Sequence, residues 1–184
     1  MNVLSKGKMV STLPYIGLPI LGIALLLLKA GRTEAFVLVW HELLIAFGYF
    51  AAVLDLKARK VPNMLVLAML AAWLLTMTSK LLFDTGPAVA LLSDSALGFA
   101  IGGGMFLLVY VLSRKGLGGG DVKFMAASGL FLGLGGTISS IFIGTVLAAL
   151  VGLGLILLKR IGRKDPIPLV PFLYAGILVT VFMQ

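Results

Sequence analysis

The chain has 184 residues, 60% of them hydrophobic and only 12% charged, about half the charge expected of a soluble domain. Fifteen Lys and Arg against seven Asp and Glu leave a net charge of +8, there is no cysteine, and His41 is the single histidine. These values exclude disulfides, thiolate metal sites and a cysteine nucleophile, and they argue against a histidine-based metal site or a Ser-His-Asp triad.

The apolar residues come in runs of about 20, the length that crosses a bilayer, and lipid-exposed backbone must be satisfied within each helix. The predicted fold is therefore an all-α polytopic transmembrane bundle of six to seven spans, forming one membrane domain over residues 1–184. In chain order the spans fall at 13–28, 35–54, 62–83, 91–112, 122–134, 137–158 and 168–183. The first run follows Lys6 and Lys8 and lacks a small-residue cleavage site, so it reads as a retained helix. Residues 1–34 thus supply an extra N-terminal span; a six-span bundle with this run peripheral is the alternative. The fifth span is short, so it is tilted, partly re-entrant or bordered by thinned bilayer. Gly135-Gly136 is the expected tight turn after it.

Charge then orients the bundle. With the N-terminus inside, 12 of the 15 basic residues lie in cytoplasmic segments, and only Lys29, Arg32 and Lys80 lie outside. The excess charge is topogenic, and no nucleic-acid partner is expected. Glycines and alanines at four-residue spacing (Gly98 and Gly102; Gly129 and Gly133; Gly144, Ala148 and Gly152) mark faces where membrane helices pack closely.

The seven acids sort by position. Glu34, Asp84 and Asp94 belong to outer loops and their flanks, Asp165 lies in a basic loop, and Glu42 beside His41 reads as structural or interfacial. That leaves Asp55 at the end of the second span and Asp121 at the start of the fifth, after Gly118-Gly119-Gly120. Acids at a membrane edge need a reason. Two crossings separate them, so both return to the cytoplasmic face. A carboxylate pair can hydrolyse a peptide without metal: one member activates water, the other polarises the carbonyl, and the pair keeps one proton because like charges held close do not both ionise cheaply. Asp121 starts a helix and Asp55 ends one, so the helix dipoles favour Asp121 as the base and Asp55 as the proton holder. The plain alternatives are an N-cap for Asp121 and an interfacial partner of Lys57 or Arg59 for Asp55.

Three stretches resemble one family. Gly118-Gly119-Gly120-Asp121-Val122-Lys123, followed by Gly129 and Leu132-Gly133, is similar to the GxGD motif of type IV prepilin peptidases. The run from Asp55 through Lys57, Arg59 and Lys60 to Val61-Pro62-Asn63 looks like that family's first aspartate motif. Ile167-Pro168-Leu169-Val170-Pro171-Phe172-Leu173 resembles its late element, with Leu169-Val170 in place of the commoner Phe-Gly. The resemblance implies a membrane aspartic endopeptidase that removes the cytoplasmic leader from pilin, pseudopilin or Flp-type precursors. It implies Asp55 and Asp121 as catalytic residues, Gly118, Gly120 and Lys123 as loop or substrate positions, and no metal or other cofactor. Its expected partners are the precursor and the lipid of the cytoplasmic (inner) membrane. Lacking cysteine, the chain resembles the short form, for which no N-methyltransferase activity is expected.

Presenilin-type proteases share a GxGD element, but here Asp55 follows Leu54 instead of Tyr, and no Pro-Ala-Leu element occurs. A small transporter using two membrane acids would place them near the midplane on broken helices. A pilus-assembly protein with vestigial acids is the third competitor, against which the intact motifs argue.

Overall fold

A computed structural model describes residues 4–29, 31, 33–113, 117–160, 162 and 167–184, with side chains from residue 17 onward. The side chains of Lys6 and Lys8, and the whole of Arg32, Arg114, Lys115, Arg163, Lys164 and Asp165, lie outside the described residues. Among these described residues six helices follow in order: α1 (Leu4–Lys29), α2 (Ala35–Ala58), α3 (Asn63–Phe83), α4 (Thr85–Leu112), α5 (Gly119–Leu157) and α6 (Val170–Met183). Four of them, α2 to α5, are long and apolar enough to cross a membrane, and the two others carry shorter apolar stretches. Large apolar side chains such as Leu27, Phe83, Leu112 and Leu157 point outward. That is stable only where lipid replaces water, and the chain is a polytopic helical membrane bundle.

α5 and α6 form the middle, with α4 along α5 and α2 along α6. Phe124, Met125, Leu173, Ile177, Leu44 and Ile45 are fully enclosed there. α1 packs chiefly on α2. Its Gly22 admits the Glu42 carboxylate, whose Oε1 has no hydrogen-bond partner.

α5 is not one straight rod. Gly133 has φ 65° and ψ −174°, a conformation essentially confined to glycine. The packing on either side shows a reversal. Gly98 of α4 meets both Gly129 and Gly133, and Gly102 meets both Met125 and Thr137. The limb 119–132 therefore runs away from Gly102, and the limb 134–157 runs back past it. Along the second limb Gly136, Gly144 and Gly152 face Gln184, Leu173 and Ile167 in turn, so it lies antiparallel to α6. The expected fifth and sixth spans are these two limbs.

The turn itself falls at Gly133 instead of Gly135-Gly136. A β-carbon on Gly135 would meet nothing within 4 Å, whereas one on Gly133 would strike the Asp94 carboxylate. Asp94, expected beside an outer loop, lies within α4, and its Oδ1 accepts the Leu134 N–H at 3.0 Å. It caps the start of the second limb, where backbone donors have no helical partner. α4 begins earlier than expected because Pro87 is tolerated in a first turn, which leaves Asp84 alone as the link from α3. Lys80 at this end pairs with Glu34 at 2.6 Å and Asp84 at 2.8 Å, and it lies 5.2 Å from the Phe36 ring centroid. Those two acids, expected in outer loops and their flanks, are exposed and through Lys80 join α2, α3 and α4.

Candidate active site

Asp55 occupies the last turn of α2. The helix ends at Arg59, whose φ of 52° is left-handed and whose N–H bonds the Asp55 carbonyl at 2.8 Å. Pro62 then stops the chain from continuing in the same helix and opens α3. Asp121 stands in the first turn of α5. Its backbone N–H bonds the Gly118 carbonyl at 3.1 Å, and its Oδ2 accepts the Gly118 N–H, also at 3.1 Å. The carboxylate folds back over its own helix start.

The glycine pattern follows from this geometry. A β-carbon on Gly118 would stand 2.9 Å from Asp121 Oδ2, and one on Gly120 would stand 3.2 Å from the Val61 backbone nitrogen. At Gly119 the nearest atom would be a Tyr110 ring carbon at 4.0 Å. The outer two glycines clear room for the acid and for the segment before α3; the middle one is not needed for clearance.

Asp55 and Asp121, 66 residues apart, line one cavity of ≈ 480 Å³ and are close enough for their charges to interact. Both are largely buried, at 5% and 9% exposure. Gly118 and Gly120 line the same space, as do Arg59, Lys60, Val61, Leu117 and the segment Ile167, Pro168 and Leu169. Val170 opens α6, and its N–H is one of the first-turn donors without a helical acceptor. Asp55 Oδ2 accepts it at 3.2 Å. Asp55 thus ends one helix and faces the start of another, so the dipole contrast expected between the two acids is evened out: each accepts one N–H from a helix start.

Among the described residues no ion pair joins Asp55 to Lys57 or Arg59, although the Arg59 charge is near enough to act on the carboxylate. Lys123 does not line the cavity. Its ammonium donates to Asn63 Oδ1 at 2.9 Å, tying the start of α5 to the start of α3. The roles of Val61, Leu117 and the Val170 N–H were not anticipated. Their contributions are backbone or apolar and leave no chemical signature in a sequence.

Residues 42–153 match the model of the type IV leader peptidase family. A prepilin leader peptidase/N-methyltransferase of Burkholderia pseudomallei is 35% identical over 150 residues, covering 76% of this chain and 46% of that protein. The protein of the same name from Aeromonas hydrophila is 28% identical over 151 residues, covering 78% and 47% respectively. That from Bacillus subtilis is 31% identical over 80 residues, covering 44% of this chain and 32% of its own. The chain spans about half or less of the length of these curated relatives. No solved structure matches.

Proposed function

This chain belongs to the type IV leader peptidase family, and from that premise we propose that it is an aspartic endopeptidase that removes leader peptides from type IV prepilin-like precursors. The observation that carries the reading is the meeting of Asp55 and Asp121 in one cavity at one end of the bundle. Four large apolar helices and the relatives' printed names support a membrane peptidase. The aspartic chemistry, the identity of the precursors, the inner membrane and the cytoplasmic face belong to this proposal.

In the mechanism one ionised carboxylate takes a proton from water, and the hydroxyl adds to the scissile carbonyl carbon. The partner carboxyl donates its proton to the carbonyl oxygen. The tetrahedral intermediate then collapses: one of its hydroxyls returns a proton to the ionised acid as the C–N bond breaks, and the leaving amine takes the proton of the other acid, so the pair ends with the single proton it began with. The pair acts as a unit, so neither acid is assigned one role. The Gly118 and Val170 N–H groups hold the two carboxylates in place. Gly118 and Gly120 keep the cavity wall free of side chains, which suits an extended peptide, since a helical peptide bond is shielded. Lys123 acts through Asn63 as a positioning residue.

The deciding experiment is leader cleavage by membranes containing the full chain, followed by gel shift and mass spectrometry against pilin, pseudopilin and Flp-type precursors. Wild type should cut at least one class, and Asp55→Asn and Asp121→Asn should each abolish cutting. Persistent cleavage in either inserted variant would remove the paired-acid mechanism.

A further inference from the structure

The cavity that holds Asp55 and Asp121 is also lined by two cations, Arg59 and Lys60, and among the described residues no ion pair joins them to the acids. The acids are buried, whereas the cations are exposed. A carboxylate withdrawn from water needs its charge offset. Each acid accepts one backbone N–H, Asp55 from Val170 and Asp121 from Gly118, and those two bonds are alike. The cations are not alike. Arg59 is near enough for its charge to act on Asp55, and Lys60 acts on neither acid.

The backbone fixes Arg59 in that place. Its N–H bonds the Asp55 carbonyl at 2.8 Å, so it stands one helical turn from the acid. It closes α2 with φ 52° and ψ 37°, a left-handed conformation in which glycine is the usual residue because a β-carbon is costly. A long side chain kept in such a position points to a use for it. The turn carries the chain round so that Arg59, Lys60 and Val61 line the cavity, whereas Lys57, in the last turn of α2, does not. Arg59 nevertheless stays beyond ion-pair distance of Asp55. A direct pair would occupy the oxygens that must take a proton from water. A guanidinium set back from them lends its field through the poorly solvated site and leaves them free. Arginine suits the task because it does not lose its charge.

We propose that Arg59 is a positioning residue of the aspartate pair: set back from Asp55, its guanidinium is the standing countercharge that keeps one of the two acids ionised and ready to take a proton from water. The inference rests on the peptidase reading above.

The test is steady-state leader cleavage by the purified full chain in detergent, with kcat and KM measured separately on a precursor that wild type cuts. Arg59→Gln should lower kcat about tenfold or more and leave KM within about twofold. Arg59→Lys restores the charge and should recover kcat to within about threefold of wild type. Arg59→Gly removes the side chain and relieves the left-handed backbone. It should unfold at the same temperature as wild type or a higher one, yet lose kcat as Arg59→Gln does, which separates the charge from the fold. Lys57→Gln, which removes one charge from the same segment, should keep kcat within about twofold. Unchanged kcat in Arg59→Gln and Arg59→Gly would overturn the proposal. So would a loss that Arg59→Lys does not restore, an equal loss in Lys57→Gln, or a rise in KM alone, which would make Arg59 a substrate contact. Wild type that cuts no precursor would instead remove the peptidase reading itself, and this inference with it.

Discussion

Gly118, Gly119 and Gly120 are identical in the sequence and differ in space. Only the first and last face atoms that a methyl group would crowd: Asp121 Oδ2 at 2.9 Å and the Val61 backbone at 3.2 Å. Displacing a reacting group by about 1 Å can cost on the order of 100-fold in rate. Gly118→Ala, which pushes on the Asp121 carboxylate itself, should therefore cut leader cleavage by up to about 100-fold, Gly120→Ala should cut it less because Val61 has only a small distance to give, and Gly119→Ala should stay within about twofold of wild type. Turnover of one precursor by the three variants, normalised to inserted protein, checks the ranking. A uniform loss would mean that the loop needs flexibility and not clearance. Asp55 teaches a related point. Its place near the end of α2 suggested an unfavourable dipole, yet the first N–H of α6 bonds it, a contact between residues 115 apart.

At the scale of elements, two joints matter. One is the Lys123–Asn63 bond, which ties the start of α5, the helix that carries Asp121, to the start of α3, the helix that follows the one carrying Asp55. It is solvent-exposed, so its contribution is small. A double-mutant cycle with Lys123→Met and Asn63→Ala, read as log kcat/KM, should give a coupling of about 0.5–1 kcal/mol. Strictly additive losses would show that each residue acts separately. The other joint is the turn at Gly133. Gly133→Ala forces an L-residue into a glycine-only region, a strain of about 1–3 kcal/mol, and pushes a methyl into the Asp94 carboxylate. Thermal unfolding in detergent should shift clearly downward for Gly133→Ala and hardly at all for Gly135→Ala, whose added methyl meets open space.

At the scale of the whole molecule, reversal of α5 decides which ends meet. The start of α5, the end of its second limb and the start of α6 gather beside Asp55, while Lys80, Glu34 and Asp84 are tied together away from it. The absence of native cysteine makes orientation directly measurable. In intact cells, Thr85→Cys should react with a membrane-impermeant maleimide, and Lys57→Cys should react only after permeabilisation; both positions are exposed. Labelling in the reverse order would place the aspartates on the outer face and exclude a cytoplasmic leader as substrate.

The helical membrane class was legible in the sequence because apolar run length is a local property and lipid demands it. The two aspartates stood out as candidates for a similar reason: an acid at a membrane edge is costly and draws notice beside its motif residues. Close packing at Gly98, Gly102, Gly129, Gly144 and Gly152 was also foreseen, since four-residue spacing puts small residues on one face. Tertiary structure alone decided the rest. Gly133 and Gly135 offer the same backbone freedom, and only Asp94 on α4 makes Gly133 the turn. Lys123 carries the same ammonium whatever it touches, and only the placement of α3 gives it Asn63. Asp55 and Asp121 share a cavity because the segments that lead into α3, α5 and α6 converge on the end of α2, a matter of long-range packing that no local pattern encodes.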